Sequence, residues 1–265
     1  MICALLRERL LSSLVFAPLV GLAFYYGGSW FAATLSIAAL IAAREYRRLM
    51  VNLGIDVGLV YVIVSVVVVM AGLLSDGVFF VPVLATGSLI LLGAALFQSD
   101  AVVALYGLAG YMYIGGLFGA IALLRTGPNG RSWALLALFV TWATDVGAYV
   151  GGSALGKRKL FPKVSPSKSV EGAVCGVICA AVVSGALAEL LGFPFTFAVI
   201  AGLFLSMLAE MGDLVESLLK RFCKAKDSGA LIPGHGGILD RFDSLLFTGA
   251  GTLLLRIIYQ TVSIL

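Results

Sequence analysis

Residues 210–244 read EMGDLVESLLKRFCKAKDSGALIPGHGGILDRFDS, a polar stretch set between two strongly apolar runs late in the chain. The stretch holds six of the fourteen acidic residues, five of the eighteen basic residues and the single histidine. Charges placed against membrane-length apolar runs are costly unless they meet a partner, an ion or water. The pattern predicts two late membrane helices joined by a functional polar loop.

The composition of the whole chain indicates its fold class. Of 265 residues, 61% are hydrophobic and 12% are charged, and the mean hydropathy is +1.07. A soluble domain carries about a quarter charged residues, and a membrane span needs about 20 apolar residues. The apolar runs are continuous and do not alternate, which disfavours a β-barrel. These features predict an all-α, polytopic integral membrane protein without a sizeable soluble domain.

Apolar runs and loop charges together predict about nine transmembrane helices with the N-terminus in the cytoplasm. In this orientation, fifteen of the eighteen Lys and Arg residues lie in inner segments, as the positive-inside rule requires. The predicted spans are residues 10–25, 30–43, 57–74, 78–97, 101–124, 133–152, 172–191, 196–219 and 242–264.

The chain is expected to have two regions, divided between residues 132 and 133. Residues 1–132 hold spans one to five, and residues 133–265 hold spans six to nine and two cytoplasmic loops. Residues 10–25 are similar to a signal-peptide core, but no small-residue cleavage pattern follows them, so we expect a retained first helix. The polar candidates for chemistry concentrate in the second region.

A stripe of polar residues crosses the end of span eight. Asp213, Glu216, Ser217 and Lys220 follow the spacing i, i+3, i+4 and i+7, and Glu210 extends the stripe by one turn. An unpaired carboxylate in a membrane helix costs at least ~2.5 kcal/mol. The stripe therefore indicates either a binding site or an internal ladder of ion pairs between Asp213 or Glu216 and Lys220.

Two further acids, Asp240 and Asp243, begin span nine at the spacing i, i+3. One interpretation is helix capping, because acids in a first turn stabilise the helix N-terminus. The other is metal binding, since several carboxylates in one place repel each other unless a cation lies among them. The single histidine and the cysteine spacing exclude a usual zinc set, and hard oxygen ligands favour Mg²⁺. We predict Asp213, Asp240 and Asp243 as the ligands.

The loop between these helices has the composition of an anion-binding segment. Lysine and arginine side chains match phosphate oxygens, and glycines let backbone N–H groups approach an anion. The positive-inside rule alone accounts for the lysines but not for the run Pro233-Gly234-His235-Gly236-Gly237. A second inner loop, residues 153–171, is also basic, and it follows Asp145 in span six. Both loops are expected to meet phosphates or anionic lipid headgroups.

These residues carry a family resemblance. The pattern Ser217-x-Leu219-Lys220-Arg221-x₄-Lys226-Asp227-x-Gly229-x₂-Ile232-Pro233-x-His235-Gly236-Gly237-Ile238-x-Asp240-Arg241-Phe242-Asp243 resembles the signature of CTP:phosphatidate cytidylyltransferases, or CDP-diacylglycerol synthases. Ser165-Pro166-x-Lys168-Ser169-x-Glu171-Gly172 and Asp145-x-Gly147-Ala148-Tyr149 are similar to that family's upstream blocks, with Ser167 where a basic residue is expected. The resemblance covers the C-terminal half, and the first five spans share only their hydrophobicity.

The resemblance implies a Mg²⁺-dependent integral membrane enzyme. The short chain favours a bacterial cytoplasmic (inner) membrane, and the distribution of Lys and Arg places the active site on the cytoplasmic side. Its substrates would be CTP and phosphatidate, and its products CDP-diacylglycerol and pyrophosphate. A phosphomonoester has a second pKa near 6, so phosphatidate is largely a dianion at neutral pH and needs no strong general base. The task of such a site is to bring two polyanions together.

The resemblance also implies roles for individual residues. Asp213, Asp240 and Asp243 would bind Mg²⁺, and Asp145 is the candidate for a second cation, monovalent or divalent, or for a substrate contact. His235 would donate a hydrogen bond to phosphate, with packing in the loop as the alternative. The residues expected to bind phosphates are Lys220, Arg221, Lys226 and Arg241. The remaining substrate-binding candidates, without assigned roles, are Ser165, Lys168, Glu171, Asp227, Gly236 and Gly237.

Other functions stay open on the sequence alone. An ion-coupled transporter could bind Na⁺ or H⁺ at Asp145, Glu210 and Asp213, although the polar loop after span eight argues for a site at the membrane face. A related CTP-using enzyme could act on an isoprenoid or an archaeal ether lipid, and a lipid-binding scaffold would bind without turnover. The expected partners are CTP, phosphatidate and membrane lipids, not nucleic acid, and a homodimer is a candidate assembly.

Overall fold

A computed structural model describes residues 16–229 and 236–262 of the chain. These residues form helices and one short hairpin, which confirms the all-α membrane fold class. The helices are α1 Phe16–Tyr26, α2 Gly28–Val51, α3 Gly58–Leu74, α4 Phe80–Gln98, α5 Ala101–Tyr111, α6 Leu117–Leu124, α7 Gly130–Leu155, α8 Val170–Ala186, α9 Ala188–Leu191, α10 Phe195–Phe222 and α11 Leu239–Val262.

Five helical stretches in the described part are long and apolar enough to cross a membrane: α4, Ala101–Leu124, α7, α10 and α11. Three shorter apolar helices, α1, α3 and α8, accompany them. A helix lies at each predicted span, although residues 10–15 of the first span lie outside the described residues. The chain is a multi-pass membrane protein, and the number of nine spans and the inward N-terminus stay predictions.

Two helices depart from the expected spans. The second span was expected to end at Ala43, but α2 continues through the charged segment to Val51, with Glu45 and Tyr46 buried. In the fifth span, a π-helical turn, Met112–Gly116, separates α5 from α6. Gly115 lies there against α3, where a Cβ would be 3.2 Å from Ser65 Cα. Hydrophobicity predicts neither feature, because both depend on packing against neighbouring helices.

The chain divides into two compact units, and the sequence-based division after residue 132 stays a prediction. Among the described residues, unit 1 comprises 16–128, 222–229 and 236–241. Its core contains fully buried aromatic side chains from α2, α3, α5 and α6, including Phe31, Tyr61, Tyr111 and Phe118. The charged end of α2 and the two described ends of the loop between α10 and α11 belong to this unit.

Unit 2 comprises residues 129–221 and 242–262 of the described chain. Helices α7 and α8 pack closely within it, because small residues line their contact. A Cβ on Gly176 of α8 would be 2.9 Å from the carbonyl oxygen of Thr144, and one on Gly147 of α7 would be 2.9 Å from that of Cys175. The pair of helices therefore provides a firm base for the polar segment that joins them.

That joining segment was expected to be a loop, but it contains an antiparallel hairpin of β1, Lys159–Phe161, and β2, Ser165–Ser169. Lys159 pairs with Ser169 and Phe161 pairs with Ser165, with an irregularity between them. The Oγ of Ser169 then caps α8 by accepting the Gly172 N–H at 3.1 Å. The hairpin fixes the position of Lys168, one residue before this cap.

Candidate active site

The polar stripe of α10 in unit 2 begins the candidate site. Glu216 is fully buried and forms an ion pair with Lys220 one turn later, which is one of the ladder pairs anticipated from the spacing. Ser217 Oγ donates a hydrogen bond to Asp213 Oδ1 at 3.3 Å. The stripe is thus partly an internal ion-pair ladder, and Asp213 lies outside the Glu216–Lys220 pair.

Lys168 of the hairpin inserts its ammonium between two carboxylates of α10. Its Nζ lies 2.5 Å from Glu210 Oε2 and 3.0 Å from Asp213 Oδ2. All three side chains are largely shielded, with exposed fractions of 19%, 10% and 32% respectively. Removing one partner of such a shielded pair costs about 3–5 kcal/mol when the other charge is left uncompensated. The role of Glu210, which the sequence left open, is to bind this lysine.

Helices α10 and α11 approach each other closely at Gly212. A Cβ on Gly212 would be 2.5 Å from the carbonyl oxygen of Asp243, so only glycine permits this contact. Because Asp213 is the next residue of α10, the approach brings Asp213 and Asp243 into the same neighbourhood. Asp243 Oδ1 accepts the N–H of Ser244 at 2.8 Å, as an acid near a helix N-terminus commonly does.

A third aspartate, Asp145 of α7, joins these two acids. Asp145 Oδ1 lies 3.5 Å from Ser244 Oγ, and Asp243 interacts electrostatically with Asp213, Asp145 and Lys220. Unit 2 therefore brings Asp145, Asp213 and Asp243 into one electrostatic cluster. The sequence placed these three in the metal-binding group.

The donor chemistry of this cluster fits Mg²⁺, because carboxylate oxygens are its preferred protein ligands. The position of Lys168 beside Asp213 also shows that the Asp213 carboxylate accepts a positive charge. Among residues 16–229 and 236–262, no three His, Cys, Asp or Glu side chains are arranged as a ready metal site. A metal at Asp213 Oδ2 would share that oxygen with the Lys168 ammonium, and the two positive charges would repel each other.

Asp240 belongs to unit 1, where it anchors the loop. Its Oδ2 accepts hydrogen bonds from Ser228 N–H at 2.9 Å, Ser228 Oγ at 2.8 Å and Gly237 N–H at 2.8 Å. Gly236 has a φ of 79°, and a Cβ there would lie 2.6 Å from the same oxygen. The contacts of Asp240 Oδ2 therefore join groups of the loop, and its part in metal binding stays a prediction.

A second anchor of the same loop, Glu45, was missed by sequence analysis. Its carboxylate is buried and accepts hydrogen bonds from Ser228, Ile238 and Leu239. The available signal was an acid among the basic residues that end the second apolar run. A sequence gives no means to tell that this acid points inwards while Arg44, Arg47 and Arg48 satisfy the positive-inside rule.

Several predicted substrate-binding residues of the loop are exposed. In unit 1 these are Lys226, Arg241 at the start of α11, and the acid Asp227. In unit 2, exposed Arg221 donates from Nε to the carbonyl oxygen of Val164 at 3.3 Å. Exposed, flexible cations suit an incoming polyanion. His235, the remaining predicted phosphate contact, lies outside the described residues.

Ser165, Lys168 and Glu171, the substrate-binding candidates of the second inner loop, have different surroundings. Lys168 contacts the acidic stripe, whereas Ser165 lies on β2 with its Oγ 3.4 Å from Ser167 Oγ. Glu171 Oε2 accepts the backbone N–H groups of Lys157 at 3.0 Å and Arg158 at 3.1 Å. These backbone donors, Lys157 first, lower the pKa of Glu171 to about 2. Glu171 thus ties the segment that follows α7 to the start of α8.

Similar proteins were found in bacteria. A phosphatidate cytidylyltransferase of Bacillus subtilis (strain 168) is 46% identical over 139 residues, and that of Staphylococcus saprophyticus is 44% identical over 139 residues. A phosphatidate cytidylyltransferase of Staphylococcus aureus (strain COL) is 41% identical over 137 residues. Each alignment covers 51% of this chain and 52% of the relative, so the chain spans about half the length of the curated relatives it matches.

A family model covers more of the chain. The model of the cytidylyltransferase family matches residues 7–259, which include every helix from α1 to α10 and most of α11. The match therefore extends through the N-terminal helices, where the sequence alone offered only hydrophobicity as a likeness. On this match, the chain belongs to the cytidylyltransferase family.

Proposed function

We propose that the chain is an integral membrane nucleotidyltransferase that makes CDP-diacylglycerol and pyrophosphate from phosphatidate and CTP, in phospholipid biosynthesis. The observation that carries the proposal is the position of Lys168 in unit 2, between Glu210 and Asp213. The close approach of α10 and α11 at Gly212 adds Asp243, and Asp145 lies 3.5 Å from Ser244 Oγ. In such a cluster, the lysine can bind phosphate groups and the carboxylates can bind the cations that accompany them. The names of the bacterial relatives agree with this substrate pair.

In the proposed reaction, a phosphate oxygen of phosphatidate attacks the α-phosphorus of CTP. A new oxygen–phosphorus bond forms, the bond from the α-phosphorus to the α,β-bridging oxygen breaks, and pyrophosphate leaves with that electron pair. Since phosphatidate is already a dianion, the chain needs no general base. Its residues have to bind, orient and neutralise the two polyanions, a task suited to Lys168, Lys220 and Arg221.

We further propose that Asp213 and Asp243 hold Mg²⁺, with Asp145 available for a second cation. A bound Mg²⁺ would neutralise charge on the phosphates and on the departing pyrophosphate. Lys168, which balances the charge of Glu210 and Asp213, would be the cation of this cluster available to a phosphate group.

The proposed location is the inner face of the bacterial cytoplasmic membrane. The side chains of Val146, Val150 and Val174 in unit 2 are exposed and apolar, and Val146 follows Asp145 directly in α7, which favours contact with lipid chains. The acyl chains of phosphatidate would stay in the bilayer while its headgroup reaches the carboxylates. A homodimer remains a candidate assembly.

The purified protein, incubated with labelled CTP and a panel of lipid phosphates, tests the substrate assignment. We expect labelled CDP-diacylglycerol from phosphatidate, with slower reaction or none on isoprenoid phosphates and archaeal ether lipids. Preference for either of those lipids would replace phosphatidate as the substrate. Labelled-ion uptake into proteoliposomes without lipid turnover would favour a transporter, and phosphatidate binding without product would favour a scaffold.

A further inference from the structure

One acid of the N-terminal helices is committed to the loop that bears the signature residues. Glu45 lies near the end of α2, and only 7% of its surface is exposed. A buried carboxylate is costly unless its oxygens accept hydrogen bonds. All the partners described below belong to unit 1, as Glu45 does. The feature therefore concerns the internal organisation of that unit.

The carboxylate of Glu45 caps the start of α11 from a different helix. Glu45 Oε1 accepts the Ile238 N–H at 3.0 Å, and Oε2 accepts the Leu239 N–H at 2.8 Å. Leu239 is the first residue of α11. The first N–H groups of a helix lack partners within it and carry partial positive charge, which a carboxylate satisfies. Glu45 thus does for α11 what a local cap residue usually does.

Ser228 connects Glu45 with Asp240. The hydroxyl of Ser228 lies 3.1 Å from Glu45 Oε2 and 2.8 Å from Asp240 Oδ2, so its single hydrogen is within reach of both acids. The Ser228 N–H also donates to Asp240 Oδ2 at 2.9 Å. Glu45, Ser228 and Asp240 are therefore one network, and a change at Glu45 reaches an acid of the signature.

The surrounding residues leave little freedom to this network. A Cβ on Gly229 would be 2.5 Å from Glu45 Oε1, and a Cβ on Gly237 would collide with Glu45 Oε1 and Ser228 Oγ. The next residue of α2, Tyr46, is buried and donates from its hydroxyl to the Tyr106 carbonyl oxygen at 2.9 Å. Glycines on one side and a fixed helix on the other hold the Glu45 carboxylate in place.

We infer that Glu45 is a positioning residue for nucleotidyl transfer. By fixing Ser228, Ile238 and Leu239, it determines where the nearby Lys226 and Arg241 present their cations to the phosphates. This inference rests on the proposed function, and it gives α2 a defined part in holding the loop of unit 1. Glu45 does not touch the substrate and acts through the loop.

The activity test compares Glu45→Gln, Glu45→Asp and Glu45→Ala with the wild-type protein. Misplacement of binding groups by about 1 Å costs up to roughly a hundredfold in rate, so we expect Glu45→Ala to lose roughly ten- to a hundredfold in kcat/KM. Glu45→Asp keeps the charge and should recover part of that loss, more than the uncharged Glu45→Gln. The matched control is Asp56→Asn, an exposed acid that pairs with Arg47 and should leave turnover unchanged.

Hydrogen exchange gives a readout that does not depend on turnover. In Glu45→Gln, the amides of Ile238 and Leu239 should exchange faster by roughly tenfold, the equivalent of one lost hydrogen bond of about 1.4 kcal/mol. Amides deep in α11, such as that of Leu246, should not change. Should Glu45→Gln fail to insert, Ser228→Ala removes only the bridging hydroxyl and should lower kcat/KM by a smaller factor.

The outcomes separate the two proposals. A wild-type protein that makes no product from CTP and phosphatidate refutes the proposed function, whatever the exchange data show. An active wild type with unchanged exchange at Ile238 and Leu239 in Glu45→Gln overturns the positioning role. Equal activity of Glu45→Ala and wild type would also overturn it. An active wild type with faster exchange, reduced kcat/KM and partial rescue by Glu45→Asp supports it.

Discussion

At the scale of single residues, Lys168 has the most informative contacts. Its ammonium contacts two carboxylates, Glu210 at 2.5 Å and Asp213 at 3.0 Å, so its positive charge would repel a metal bound at Asp213. In Lys168→Met, the acids lose this cation while most of the unbranched side chain is kept. We expect Mg²⁺ to raise the unfolding temperature of Lys168→Met more than that of wild type, and we expect turnover to fall at least roughly a hundredfold. Thermal unfolding in detergent against Mg²⁺ concentration measures the first effect.

Lys163 supplies the matched control for this experiment. It lies between β1 and β2, is exposed, and is close in sequence to Lys168. Lys163→Met removes the same charge from the same hairpin and should leave the Mg²⁺ response at the wild-type value. Equal Mg²⁺ responses in Lys168→Met and wild type would contradict the repulsion between ammonium and metal.

A second residue-level prediction concerns Asp243. Asparagine has the same shape and still accepts the Ser244 N–H through its side-chain oxygen, so Asp243→Asn preserves the local hydrogen bond. If the charge of Asp243 serves the metal, turnover should fall by roughly 10²–10³-fold while insertion and folding persist. Turnover near the wild-type value would reduce Asp243 to a helix cap. Product formation and the elution profile in detergent check both parts.

Sequence spacing predicted contacts within one helix but not contacts between distant segments. The pair of Glu216 and Lys220 follows from an i, i+4 spacing on one face of α10. The partnership of Lys168 with Glu210 joins residues 42 positions apart and depends on a hairpin that hydrophobicity does not reveal. Glu45 and Leu239 are 194 positions apart, so no pattern in the sequence indicated their contact. The positive-inside rule explained the charges at the end of α2 by membrane topology alone.

At the scale of elements, the contact of α10 with α11 depends on Gly212. An alanine Cβ would be 2.5 Å from the carbonyl oxygen of Asp243, and backbone atoms cannot move aside as a flexible side chain can. We expect Gly212→Ala to cost about 1–3 kcal/mol of folding stability, as overpacking does, and to lower turnover by separating Asp213 from Asp243. Thermal unfolding and product formation, measured on the same preparation, check this.

Gly93 of α4 is the control for Gly212. A Cβ at Gly93 meets no atom within 4 Å, so alanine there should be neutral or should stabilise the helix by about 0.5–1 kcal/mol. Gly212→Ala and Gly93→Ala could instead have the same stability and activity. That result would show that neither property depends on the close approach of α10 and α11. The comparison separates a packing effect from the general effect of replacing glycine in a membrane helix.

The elements themselves were largely predictable because their apolar runs are long. A helix lies at each run, since a hydrocarbon environment requires internally satisfied backbone groups. The π-helical turn Met112–Gly116 and the hairpin of β1 and β2 were not predictable. Both depend on neighbours, the first on close contact with α3 and the second on strand pairing in a short basic segment.

At the scale of the whole molecule, the orientation of the chain is the next prediction to test. The distribution of Lys and Arg places the segment around Lys163 inside and the segment around Asn129 outside. Cysteines introduced singly at these two positions should react with an impermeant thiol reagent from opposite sides of the membrane. The native cysteines provide the background, measured on the unaltered chain. Reaction of both positions from one side would contradict the nine-span arrangement.

Metal dependence of turnover tests the central claim most directly. The claim is that Asp213 and Asp243 hold a divalent cation that nucleotidyl transfer requires. Purified protein, labelled CTP and phosphatidate should yield CDP-diacylglycerol with Mg²⁺, lose that activity in excess chelator and regain it when Mg²⁺ is restored. Undiminished product formation after complete chelation would contradict the claim.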